Sequence, residues 1–312
     1  MQTTPQHMKG YTYKKLMMLL CIICTYTLIS NTYALTTVRI AAPQTKHDKR
    51  FEHKYDVIST ALKLTEAEYG SFTIKSELPL LQGKRMIDGV AKGDIINISI
   101  GPYNKDWDEN TLTIPVPIRG GALSYRLLLI HKKDIERYQH VKTIEDLKNF
   151  NAGVLSTWAT KELLQHQKLP TIDSNHYSGL FVMLNNHRFD YIARGIYEIF
   201  DELIAYAGQL NNIIIEPTLA IYAPTYTLVY VSPNYPKLAE RLHKGLLLME
   251  KNGDLKRIFN HYYGDSVKKS NIANRTILHL TPPPELTFIT PLNINYVTHK
   301  TTQPLKIKAL QD

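Results

Sequence analysis

Short apolar runs of strand character alternate with amphipathic helical runs along most of this chain, and that alternation narrows the folds open to it. Residues 37–42 read as a β run. Residues 55–69 follow, with Val57, Ile58, Ala61, Leu62 and Leu64 at helical spacing and Gly70 as a stop. Residues 71–78 alternate as a strand, 85–91 read as a helix ended by Gly93, and 95–100 read as a strand stopped by Gly101 and Pro102. Residues 104–110 read as a polar loop. Residues 112–118 and 124–130 are extended, and Pro115 and Pro117 mark the first as an edge or irregular strand.

The alternation then begins again. Thr143 caps a helix through Lys148, with Glu145 and Asp146 favourably placed in its first turn. A strand over 152–155, helices over 159–166 and 177–185, a strand over 190–193 and a helix over 196–207 follow. Strands are expected over 212–216 and 227–231. The span 234–260 is helical, with Pro236 in its first turn and Leu238, Leu242, Gly245, Leu246 and Met249 on one face. Gly253 breaks it, and a shorter helix from Asp254 reaches Tyr263 with Gly264 as its stop. Residues 276–280 are strand-like, and Pro282, Pro283 and Pro284 end the pattern. Helices between strands imply an α/β fold of mixed, mostly parallel sheets flanked by helices. Ligands in such sheets bind at the carboxyl ends of strands, and two units around a crevice make a cleft closed by hinge motion.

The first thirty-four residues stand apart from that pattern. Lys9, Lys14 and Lys15 form a basic start, residues 16–23 are apolar, and Thr32 and Ala34 supply small residues before a cleavage point. Residues 1–34 therefore read as an export signal. The apolar core falls short of the ~20 residues that a spanning helix needs. Cys21 and Cys24 both lie in this leader, so the exported chain carries no cysteine and needs no disulfide. At roughly 280 residues it is long enough for about two domains stabilised by burial alone. The formal charge of +9 falls to +6 without the three leader lysines and is spread out, which argues against a nucleic-acid partner. The expected location is the periplasm, as a monomer.

The stretch Asn186-His187-Arg188-Phe189-Asp190-Tyr191-Ile192-Ala193-Arg194-Gly195 reads as a polar turn, a short apolar strand, and a charge at the strand end. Together with Val38-Arg39-Ile40-Ala41, Ala152-Gly153-Val154 and the ending from Leu238 through Asn252-Gly253-Asp254-Leu255 to Tyr263-Gly264, it resembles the amino-acid type (family 3) of extracellular solute-binding proteins. The resemblance covers about residues 36–265. Gly179-Leu180-Phe181 and Arg194-Gly195 look more narrowly like a proteobacterial branch of that superfamily, as does the tail over 275–291.

The resemblance implies a two-lobe, type-II periplasmic-binding-protein-like fold. Lobe 1 would span 36–130 and 225–265, and lobe 2 would span 131–224. The hinge crossovers would lie near His131 and near Ala223-Pro224, with 266–312 a C-terminal strand and tail. It also implies a small-molecule ligand and an inner-membrane transporter or sensor as partner. Members of the family hold the ligand carboxylate with an arginine after the third strand and its ammonium with an aspartate at the later strand end. Here the first region, Tyr103 to Asp108, has no arginine, and the second place carries Arg194. A guanidinium suits a carboxylate or phosphate, so the expected ligand is anionic.

Arg194 is thus a candidate anion clamp, with an ion pair to Glu198 or Asp190 as the competing structural role. Arg126 and Arg119 are further candidates. Ser156, Thr157 and Trp158 begin a helix whose free N–H groups form an anion site. Tyr103 and Trp107, with Tyr125 and Tyr226, are candidate aromatic lining. The twelve histidines form no metal motif, so no metal site is expected. No cofactor, nucleophile-elbow or phosphate-loop motif occurs. Glu198 or Glu202 would serve an alternative envelope enzyme of the same fold, given a carboxyl raised by burial. A third reading is a degenerate member kept as an interaction protein.

Overall fold

The computed structural model describes residues 35–43, 48–78, 81, 83–206, 208, 211–281 and 296–297. The expected export signal lies outside the described residues, as does most of the tail. The strands are β1 (Thr36–Ala41), β2 (Phe72–Leu78), β3 (Ile98–Pro102), β4 (Leu112–Ile114), β5 (Tyr125–His131) and β6 (Ala152–Leu155). They continue with β7 (Thr171–Ser174), β8 (Tyr191–Gly195), β9 (Ile213–Ile215), β10 (Leu219–Tyr222), β11 (Thr227–Val231) and β12 (Thr276–His279). The helices that matter here are α1 (Lys49–Leu64), α2 (Lys84–Lys92), α3 (Lys105–Asn110) and α4 (Ala159–His166). After them come α5 (Tyr177–Asn185), α6 (Ile199–Ala205), α7 (Pro236–Asn252) and α8 (Asp254–Ser270).

The first lobe joins two small sheets. β1 runs parallel to β2, and β11 runs antiparallel between β3 and β4. Asn97 stitches the two: its Oδ1 accepts the Arg39 N–H at 2.7 Å and its Nδ2 donates to Thr37 O at 2.8 Å. Beneath them, Val57, Ile58, Ala61 and Leu62 of α1 meet Leu238, Leu242, Leu246 and Met249 of α7. Gly245 permits that crossing, because a Cβ there would lie 2.4 Å from the Ala61 carbonyl oxygen. Arg241, only 1% exposed, donates to Leu62 O at 3.0 Å and Gly70 O at 2.8 Å, closing the C-terminal end of α1.

The second lobe is a seven-stranded mixed sheet in the order β12-β10-β5-β8-β6-β7, with β9 also on β5. β6 runs parallel to β7 and β8, whereas β5 runs antiparallel to β8, β9 and β10. Phe189 fills the space over Gly153, where a Cβ would meet its ring at 2.1 Å. Leu127 and Leu129 face one apolar cluster and Leu128 and Ile130 the other, so β5 is buried on both faces.

Several expectations need correction. β5 was placed at the end of lobe 1 but lies at the heart of the second sheet. The first crossover is therefore the segment before Tyr125, not His131. The two crossovers run side by side: Ala223 N donates to Ser124 O at 2.7 Å, and Thr225 N donates to Ser124 Oγ at 3.0 Å. β12, expected with the tail, runs parallel to β10 as an edge of this sheet. Residues 105–110 of the expected loop are a helix, because Asn104 Oδ1 caps it by accepting the Trp107 N–H at 3.0 Å. Gly101 and Pro102 fall inside β3, an edge strand that tolerates a missing N–H. Gly264 lies within α8, which continues to Ser270 and ends at Asn271 with φ of 49°. Thr143 precedes a 3-10 turn at Asp146–Asn149, and the helix expected from 196 begins at Ile199.

Candidate functional site

A cleft of about 620 Å³ opens between the lobes. The first lobe gives it an apolar wall that includes Ile40, Phe51, Met86, Ile87, Ile98, Ile100 and Trp107. The second lobe supplies Leu155, Thr157, Trp158, Thr160, Tyr177, Arg194, Tyr197 and Glu198. Five cations reach the lining, Arg50, Lys54, Arg119, Arg126 and Arg194, against the two carboxylates of Asp48 and Glu198. Such a volume suits a small organic solute, and its charge balance is positive.

Arg194, the last residue but one of β8, lines the cleft, but its charge is already taken. Its Nε donates to Glu202 Oε2 at 2.7 Å and its Nη2 to Glu202 Oε1, a two-pronged pairing from α6. Glu198 Oε2 lies 3.2 Å from the same Nη2. The Tyr177 hydroxyl donates to Glu202, and the guanidinium lies over the Trp158 ring at 4.4 Å. Of the structural partners weighed for Arg194, Glu198 lies in ion-pair reach, but the two-pronged partner, Glu202, was not among them. Asp190 instead accepts from Arg137 Nη1 at 2.8 Å. Gly195 makes room for the fold-back, because a Cβ there would come within 3.0 Å of Glu198 Oε2.

Glu198 itself is held as a carboxylate. Burial pushes its carboxyl up, but Arg194, Arg126, Arg119 and Arg50 outweigh that and hold it below the usual range. The raised value required of a catalytic acid is therefore absent at Glu198. Arg119 is 5% exposed; it donates to the Tyr197 hydroxyl at 2.9 Å and the Tyr263 hydroxyl at 3.3 Å, and lies over both rings. It has neutral partners and no carboxylate at contact distance among the described residues. Lys54 sits one turn into α1. Burial, then repulsion from Arg119 and Arg50, pulls its ammonium down to about 7.

Arg126 differs from the rest. It is the second residue of β5, is 4% exposed, and lines the cleft. Its side chain makes no hydrogen bond or ion pair to any described residue, and its Nε is buried without an acceptor. Burial pulls its guanidinium down to about 10; Glu198 pulls the other way and Arg194 adds to the fall. A buried guanidinium without a partner is expensive, and an anion entering the cleft is what relieves it.

The other expected residues divide. Thr157 and Trp158 line the cleft at the start of α4, but Ser156 does not, since its Oγ donates to Asn175 Oδ1 at 3.0 Å. Trp107 lines the cleft and stacks on Tyr230 at 4.6 Å. Tyr103 belongs to a neighbouring apolar cluster and Tyr125 packs edge-on against Tyr222, so neither is lining, nor is Tyr226. Lys54 and Arg50 escaped the sequence reading. A signal existed for Lys54: it falls on the same helical stripe as Ile58 and Ala61, where an ammonium is out of place.

No protein-family model matches the chain, and no curated protein sequence matches it. Solved structures do. An ancestral arginine-binding protein bound to arginine superposes with a TM-score of 0.51 at 14% identity, over 73% of this chain and 98% of its own. The VFT2 domain of Bordetella pertussis BvgS, as a double mutant, gives 0.52 at 14% identity, over 73% and 93%. A histidine kinase sensor domain similar to periplasmic binding proteins gives 0.51 at 12% identity, over 75% and 98%. The chain therefore has the periplasmic-binding-protein-like α/β fold. Among the described residues, no helix is long and apolar enough to cross a membrane.

Proposed function

We propose that this protein is an exported, monomeric solute-binding protein that closes its two lobes on a small carboxylate-bearing or otherwise anionic solute and presents it to a transporter or sensor. The observation that carries this reading is Arg126: a buried cation lining the cleft with no acceptor among the described residues. Arg119 and Lys54 add positive field from the first lobe, and Thr157 and Thr160 add hydroxyl donors from the second. Arg194 acts behind them, holding Glu198 and Glu202 so that their charge does not repel the solute. The apolar wall of Ile40, Met86, Ile87 and Trp107 accepts a hydrocarbon or ring attached to the anionic head. The neighbours that bind arginine share the fold, yet an arginine side chain here would meet a surplus of cations.

A thermal-shift screen across organic acids, phosphates, amines and sugars tests this. A specific anion at one hundred times its dissociation constant raises stability by about 2.7 kcal/mol. The shift is expected for acids and lost in Arg126→Ala. A hit confined to amines or sugars, or an acid hit unaffected by Arg126→Ala, refutes it.

A further inference from the structure

The strands that carry Arg126 and Arg194 to the cleft have a second cluster at their other ends. β5 finishes at His131, and Asp134 follows in the turn Lys132–Asp134. The turn between α5 and β8 brings His187 against them, with ring centroids of His131 and His187 3.7 Å apart. One ligand atom from each of His131, Asp134 and His187 lies within 4.8 Å of the other two. These residues are distant in sequence, and no His-x-x-x-His spacing announces them. We propose that they bind a divalent transition-metal ion, zinc being the one their donors fit, a site the sequence reading did not expect and one independent of the solute cleft.

The geometry supports coordination better than hydrogen bonding. His187 Nδ1 lies 3.5 Å from Asp134 Oδ2, long for a charge-assisted hydrogen bond. Two tetrahedral zinc ligands at their usual bond lengths lie about 3.4 Å apart, close to that spacing. Asp134 Oδ1 is engaged separately, accepting from Arg137 Nη1 at 3.4 Å, which leaves Oδ2 for the metal. His131 Nδ1 accepts the Lys133 N–H at 3.2 Å. A metal at Nδ1 replaces that bond, and a metal at Nε2 moves the ring proton to Nδ1 and gives the bond up. Imidazole donors select zinc and its neighbours over calcium and magnesium, which need oxygen cages. Lys132, Lys133 and Arg137 oppose any cation, so affinity must come from the imidazole and carboxylate bonds themselves. His131 is 3% exposed while His187 is open to solvent, so water completes the coordination.

His187 also holds a positive φ of 53°, a left-handed backbone that is uncommon outside glycine. That conformation turns the chain from α5 into β8 and places the ring against His131. A metal there ties the end of β5 to the start of β8. The pairing of Ile130 with Tyr191 at that end continues to Leu127 with Arg194 at the cleft. The ion would stiffen the strand pair that presents the cleft arginines without touching solute.

The test uses the tag-free protein, stripped with a chelator. Zinc titration by calorimetry is expected to show one equivalent bound, and Co²⁺ a visible ligand-field absorption typical of nitrogen and oxygen donors. His187→Ala, at an exposed position, and Asp134→Asn are each expected to weaken zinc by more than about tenfold and to abolish the zinc-induced rise in melting temperature. No zinc binding by the unaltered chain overturns the proposal. So does binding that survives both substitutions, which would place the ion on other histidines.

Discussion

Arg126→Met should make the ligand-free protein more stable, an unusual outcome for removal of a buried residue. The fall of its guanidinium from its ordinary value to about 10 means that the folded state opposes its charge. At 1.36 kcal/mol per unit, that opposition is roughly 3 kcal/mol. Methionine keeps much of the side-chain volume and removes the charge, so a gain of about 1–3 kcal/mol is expected after imperfect packing is allowed for. Arg194→Met is the control with opposite sign. It strands Glu202 and Glu198, both held by the same guanidinium, and should cost about 3–5 kcal/mol. The assay is urea unfolding followed by circular dichroism at neutral pH, on protein freed of ligand by unfolding, dialysis and refolding. If Arg126→Met loses stability as Arg194→Met does, Arg126 has a partner in the ligand-free protein and the case for it as the solute's cation fails.

Two more outcomes follow from the first lobe. The Lys54 ammonium is held near 7, below its usual value, so the unfolded chain binds the proton more tightly than the folded one. Folding stability should then rise with pH from about 7 towards 10, and Lys54→Met should flatten that slope in urea titrations across the range. A slope unchanged by Lys54→Met would show that another group titrates. Gly245→Ala drives a Cβ to 2.4 Å from the Ala61 backbone oxygen, where no flexible side chain can yield. It should separate α1 from α7 and lower stability by about 1–3 kcal/mol in thermal melts, whereas an unchanged melting temperature would mean the helices slide freely.

Much of the fold was legible where local signals agree. The helices Ala159–His166 and Tyr177–Asn185 and the strand Thr227–Val231 were expected with these bounds, because apolar periodicity and flanking polar turns coincide there. β7 and β10 were not anticipated. Each has four residues, and pairing partners from elsewhere in the chain decide their conformation. The misplacement of β5 has a similar cause. Tyr125–His131 is buried throughout, so the run states that it is a central strand but not in which sheet. The five polar residues of α3 resemble loop because their helix depends on the Asn104 cap and the buried Trp107 more than on periodicity.

The cleft was legible as a place and less so as chemistry, and Arg126 and Arg194 show why. Both were visible as strand-end arginines, and the register sets them side by side: Arg126 opposite Gly195, and Leu127 opposite Arg194. What separates them is where carboxylates fall. Glu198 and Glu202 follow Arg194 at four and eight residues, and the turn into α6 folds both back onto it. Arg126 has no acid four residues on, and Asp134, eight residues on, lies past the far end of the extended β5, so the packing of that strand leaves Arg126 facing the cavity without an acceptor among the described residues. A cation neutralised by its own segment organises a site; one that is buried and left unpaired is free to bind. On the proposed reading, the position where the resemblance implies an aspartate carries an arginine that restrains two acids, and the charge left for a solute is that of Arg126 on the neighbouring strand. On this arrangement Arg194→Lys should weaken acid binding too, since a single ammonium cannot hold Glu202 in two prongs, and freed carboxylates would compete with the solute for Arg126.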